Sequence, residues 1–111
     1  MDVRQFLLSL LNALSSLDFV KNVDIKTEVF ILKGRANLEG NRYLQVYFNE
    51  LTGTTAFALI EKEKRIWGID FDNMRGWHFH PFGKSESHRS ISEKSVQDIV
   101  RELSEVWEKI P

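Results

Sequence analysis

The residues able to do chemistry gather in one stretch, residues 67–88, which reads WGIDFDNMRGWHFHPFGKSESH. It holds every histidine of the chain (His78, His80 and His88), with Asp70 and Asp72 just before them. Imidazoles titrate near neutrality, so a histidine pair can supply one base and one acid, with a carboxylate fixing the tautomer. In that chemistry His78, His80, Asp70 and Asp72 are the candidate catalytic groups. The same side chains hold zinc or another divalent ion where three converge around an open position. A divalent metal on His78, His80 and His88 is the one cofactor these residues suggest. The plainer alternative is that Asp72-Asn73 is turn chemistry and the imidazoles are hydrogen-bonded surface groups, because H-x-H is a weak motif.

Residues two apart on a strand face the same way, which sets His78 beside His80 and Asp70 beside Asp72. Whether the pairs meet depends on the hairpin between them. A three- or five-residue loop puts Asp70 opposite His78, whereas a four-residue loop puts the histidines beside Ile69 and Phe71. Only the odd loop lets Trp77 and Phe79 share an apolar layer with Ile69 and Phe71, and a one-residue slip would turn every side chain over. The odd register is the expectation, with His88 folding back over the cluster. Asn73, Arg75, Trp77, His88 and Arg89 are the candidate substrate-binding residues. Positive charge at Arg75, Lys84 and Arg89, joined by Lys33, Arg35 and Arg65 and interleaved with Trp77, Phe79, Tyr43 and Tyr47, suits single-stranded RNA.

The elements that must position this stretch follow from periodicity. Val3, Phe6, Leu7, Leu10, Leu11, Leu14 and Leu17 recur at helical spacing over residues 2–17, with Asp2 as cap. Residues 18–26 form a connection with room for a short strand at 23–25. Period-two alternation then predicts strands at 28–38, 42–48, 54–60, 65–71 and 76–79, separated by turns at 40–41, 49–53, 61–64 and 72–75. No connection is long enough for a parallel crossover. Pro81 ends the last strand and residues 82–89 are a polar loop. Ser90 and Glu93 have capping-box spacing ahead of a stripe from Val96 to Ile110. The expected fold is α+β: an antiparallel meander of about five strands, flanked by an N-terminal and a C-terminal helix on one face.

A length of 111 residues fits a single domain, 1–111, with one core. With 42% hydrophobic and 28% charged residues the balance is globular, and a net charge of −1 argues against broad capture of nucleic acid. The absence of cysteine removes disulfides, thiolate metal sites and cysteine nucleophiles. Neither a secretory leader nor an apolar run of about 20 residues is found, so the expectation is a cytoplasmic protein with no membrane partner.

The run Phe71-Asp72-Asn73, then Gly76-Trp77-His78-Phe79-His80-Pro81-Phe82, then His88 and a helix opening Ile91-Ser92-Glu93, resembles the TumE-type proteins over residues 66–110. Over residues 1–65 the likeness is architectural. That resemblance implies a small α+β toxin component of a two-gene toxin–antitoxin pair, with an antitoxin protein or RNA as partner. It carries Asp72, Asn73, His78, His80 and His88 over as the functional set. Many relatives place paired adjacent histidines where this chain has Met74-Arg75-Gly76 and a lone His88. The reading is a toxin-like, RNA-directed hydrolase, the alternative being a non-catalytic binding or homodimerisation module.

Overall fold

The computed structural model describes residues 1–84 and 86–111; Ser85, inside the expected loop, lies outside the described residues. The order is α1 (Val3–Leu14), β1 (Val20–Thr27), β2 (Ile31–Leu38), β3 (Arg42–Asn49), β4 (Thr55–Glu61), β5 (Lys64–Asp72), β6 (Gly76–His80), β7 (Arg89–Ser90) and α2 (Val96–Trp107). Among the described residues these strands form one antiparallel sheet in chain order, so the meander has seven strands rather than about five. The two additions have different causes. β1 reads VKNVDIKT and lies at the sheet edge with four of its eight residues being charged or amide side chains, so it gives little apolar alternation to recognise. β7 is two residues long, below the length at which any pattern can appear.

One sheet face carries the core. Leu32 and Ala36 of β2, Leu44 and Val46 of β3, Phe57 and Leu59 of β4, and Trp67 and Ile69 of β5 are buried there, against Phe6 and Leu10 of α1 and Ile99 and Leu103 of α2. Phe6 stacks on Phe48 with centroids 4.3 Å apart, and Phe19 stacks on Trp107 at 4.1 Å, which seats both helices on that face. Burying such a ring contributes about 1.5–3 kcal/mol. No helix among the described residues is long and apolar enough to cross a membrane.

Asp2 caps α1, accepting from the Gln5 amide at 2.8 Å while the Gln5 side chain returns to the Asp2 amide. The second cap is not where the spacing of Ser90 and Glu93 puts it. The α2 cap is Ser95, whose Oγ accepts from the Asp98 amide at 3.0 Å. Ser90 is instead drawn into the sheet opposite His78, and the Ile91 amide donates to the Trp77 carbonyl at 3.1 Å. Sheet hydrogen bonds therefore hold residues 89–91 extended and delay the helix by a turn.

The β5–β6 hairpin sets the register of everything that follows. Asp72 pairs with Gly76 across the three residues Asn73, Met74 and Arg75. Gly76 has φ +72°, the left-handed closing position that such a loop demands. This is the odd-length loop, and Asp70 lies opposite His78 while Trp77 and Phe79 join Phe71 and Ile69.

Candidate functional site

The sheet face away from the helices carries the histidines. Register lines up Lys33, Tyr47, Ala56, Asp70, His78 and Ser90 in one row across it, and Arg35, Gln45, Ala58, Gly68 and His80 in the next. The segment after β6 turns back over the end of this face. Its cover leaves His78 only 4% and His80 1% exposed. Burial of this kind requires that their polar atoms be satisfied.

Most of that requirement is met by backbone carbonyls and one carboxylate. Nδ1 of His78 lies 3.2 Å from the Gly76 carbonyl, and Nδ1 of His80 lies 3.1 Å from the Ser87 carbonyl. A carbonyl only accepts, so in both rings Nδ1 carries a hydrogen and Nε2 is turned to the cluster; a bond from Nε2 to a carboxylate needs a second ring hydrogen, the imidazolium form. Both Nε2 atoms meet the same atom, Oδ2 of Asp70, at 3.3 Å from His78 and 3.1 Å from His80. The two contacts differ in kind. The His80 contact is a hydrogen bond, whereas Nε2 of His78, close as it is, is not aligned with the carboxylate and has no hydrogen-bond partner among the described residues. His88 closes the group from the loop, its ring centroid 5.6 Å from that of His78 and 4.7 Å from that of His80. One nitrogen from each of the three imidazoles fits within a span of 4.8 Å. The pKa of His88 is lowered, first by partial desolvation and then by the neighbouring charges of His80, Arg75, His78 and Arg65.

Beside the cluster opens a cavity of about 420 Å³ lined by Arg75, His78, His88 and Ser90. Arg75 is tied to Asp72 by a 3.0 Å ion pair yet its side chain stays 61% exposed, so its guanidinium still borders the opening. The arrangement offers an unaligned imidazole nitrogen, a carboxylate, a third imidazole and a cation at one accessible hollow. Such a set can activate water and hold an anion, or bind a metal ion.

The other expected residues divide between the two faces. Asp72 does not reach the imidazoles through its hydrogen bonds. Its carboxylate accepts from the amides of Met74 and Arg75 at 3.0 and 2.8 Å and from Nε of Arg75, an arrangement that closes the loop. Those bonds, led by the Arg75 amide, hold its carboxyl below the usual carboxylate range. Asn73 donates to the Thr52 carbonyl at 3.0 Å and anchors the loop to the neighbouring turn. Trp77 points to the helix face, its ring 5.3 Å from that of Phe71, and Arg89 is paired with Phe79 rather than with a histidine. Strand alternation thus separates Trp77 and Arg89 from the cluster by the thickness of the sheet.

Phe79 is likewise on the helix side, so only Tyr43 and Tyr47 of the expected aromatic surface share the open face, with Arg35 lying 4.0 Å over the Tyr43 ring. Reading residues alone also overlooks Ser87 and Gly76, which act through carbonyls, and Ser90, brought in by a two-residue strand. Backbone acceptors leave no mark in side-chain spacing. Comparison with protein-family models, with curated proteins and with solved structures finds no match at any level that would carry an assignment.

Proposed function

We propose that this protein is a toxin-like hydrolase of RNA phosphodiesters, with Asp70, His78, His80 and His88 as its chemical centre and Arg75 as the phosphate-holding group. The observation that carries the reading is the unaligned, buried Nε2 of His78 facing the Asp70 carboxylate beside an open hollow. In this reading a water oxygen bonds to phosphorus and its proton passes into the cluster where Nε2 of His78 opens. The bond from phosphorus to the leaving sugar oxygen breaks, and that oxygen takes a proton from solvent in the exposed hollow. Tyr43 and Tyr47 on the same face give bases a surface to stack on. The likeness of residues 66–110 to TumE-type proteins supports the toxin setting, with the product of a neighbouring gene as the natural antitoxin.

The test is cleavage of a labelled single-stranded RNA by the wild-type chain, by Asp70→Asn and by His88→Ala. The second variant alters an exposed side chain and so leaves folding intact. Cleavage lost in both supports the reading, and cleavage equal to wild type in both refutes it. A second reading, a docking module, is favoured by Leu8 and Leu11, exposed to 59% and 40% on α1. It predicts self-association or partner capture that is abolished by charging both positions and untouched by Asp70→Asn.

A further inference from the structure

We infer that Asp70, His78, His80 and His88 form a binding site for one divalent transition-metal ion of the zinc class. Two independent features of the geometry point to it. The first is spacing. For ligand bonds of about 2.0–2.1 Å, the edge of a coordination tetrahedron is about 3.3 Å. Oδ2 of Asp70 stands 3.3 and 3.1 Å from the two Nε2 atoms, the separations of ligands sharing one ion.

The second is orientation. Nε2 of His78 lies near the carboxylate oxygen without aligning on it, and no other described group pairs with it inside a ring that is 95% buried. Ligand atoms that converge on a common point in space, rather than on each other, make this kind of close but unaligned contact. Both rings also show the outer hydrogen bond of a metal-bound imidazole, Nδ1–H to a backbone carbonyl, at Gly76 and at Ser87. That bond fixes Nε2 as the coordinating atom.

His78, His80 and Asp70 make a buried three-ligand face. His88 is exposed and supplies the fourth position from the loop, where water or a phosphate oxygen can displace it. Two or three imidazoles with one carboxylate and no sulfur suit zinc and its neighbours better than magnesium or calcium. Loss of protons from this set is needed for binding, so affinity falls as pH drops. The ion site rests on geometry alone; its part in water activation rests on the hydrolase reading.

The experiment is titration of chelator-treated protein with zinc by calorimetry, and with cobalt by visible absorption. One equivalent of zinc per chain is expected, with the cobalt bands of a four-coordinate nitrogen and oxygen site. Asp70→Asn and His88→Ala should each weaken zinc by at least the roughly 10–100-fold that loss of an outer-shell partner costs, since each removes a ligand. Absence of stoichiometric binding by the folded wild-type chain overturns the site, as does binding that both variants leave unchanged. RNA cleavage read in parallel separates the two proposals. One equivalent of zinc without cleavage sinks the hydrolase and upholds the site. Cleavage that persists in chelator, with zinc binding intact, sinks only the ion's part in the reaction.

Discussion

Asp70→Asn is the change that bears most directly on the cluster. With Nδ1–H of His80 on the Ser87 carbonyl, Oδ2 of Asp70 accepts from Nε2 at 3.1 Å when the ring is imidazolium, and the carboxylate is only 20% exposed. An amide oxygen can take the same bond, so the substitution removes charge and leaves shape. A hydrogen bond to a charged acceptor contributes roughly 1.5–3 kcal/mol and a neutral one roughly 0.5–1.5, a difference of about 1–1.5. Partial solvent access favours the lower end, about 1 kcal/mol. For a domain near this size that lowers the thermal midpoint by roughly 4–6 °C. The assay is circular dichroism melting in the presence of chelator, so that no metal contributes. A second melt with excess zinc extends it, because an ion bound only by the folded chain raises the midpoint by mass action, and more in wild type than in the variant. A midpoint unchanged within a degree in chelator would refute the reasoning, since the shared carboxylate would then contribute nothing to holding the imidazoles.

Gly76→Ala meets no atom within 4 Å, so its effect isolates the backbone. At φ +72° the added Cβ should cost about 1–2 kcal/mol, read as a lower midpoint with an unchanged spectrum. Ser95→Ala should cost about 1 kcal/mol as the true cap of α2, whereas Ser90→Ala should change stability little; equal losses would show that the cap is misplaced. His88→Ala should leave the midpoint above pH 6.5 nearly unchanged. Below it the folded chain binds fewer protons at His88 than the unfolded chain does, because the folded pKa is the lower one. Wild-type stability therefore falls as pH drops from 6.5 toward that lowered value, and the variant should lose this part of the slope in melts taken across the window.

Much of the site geometry was legible because a hairpin has few solutions. The apolar pairs Ile69 with Phe79 and Phe71 with Trp77 demanded an odd loop, and Gly76 supplied the residue that closes one. From those facts Asp70 falls opposite His78 without further information. Grouping Trp77 and Arg89 with the histidines as substrate-binding residues rested on nearness in sequence, whereas strand alternation places Trp77 on the other face. Arg89 could not be placed by any sequence argument, because β7 exists only through the pairing of residues 89–90 with β6. β1 was anticipated only as a short strand at 23–25 for a different reason: few of its side chains lose solvent, so burial imposes no pattern on its eight residues. The role of Asp72 lay between these cases. Asp-Asn at a turn does signal loop chemistry, and its carboxylate is bound by the loop amides rather than by an imidazole.

The placement of the cluster also argues against a purely structural role. Both helices cover one face of the sheet, and the segment after β6 covers only the end of the other. Closing that end calls for nothing more than apolar side chains. Two buried imidazoles and a carboxylate there must instead be desolvated, and an ion pair at such a position is often no better for stability than apolar residues of similar volume. The cover is moreover fastened to the buried ring itself, through the Ser87 carbonyl on Nδ1 of His80, so the position of His88 one residue later is set by the same bond that orients the His80 ring. Replacing His80 by phenylalanine would fill the space and remove that bond. If the polar set served only to close the sheet, this variant would melt at or above the wild-type temperature with the loop as resistant to protease as before. The site reading expects the loop to be cut faster whatever the midpoint does, because its anchor and the third imidazole are released together.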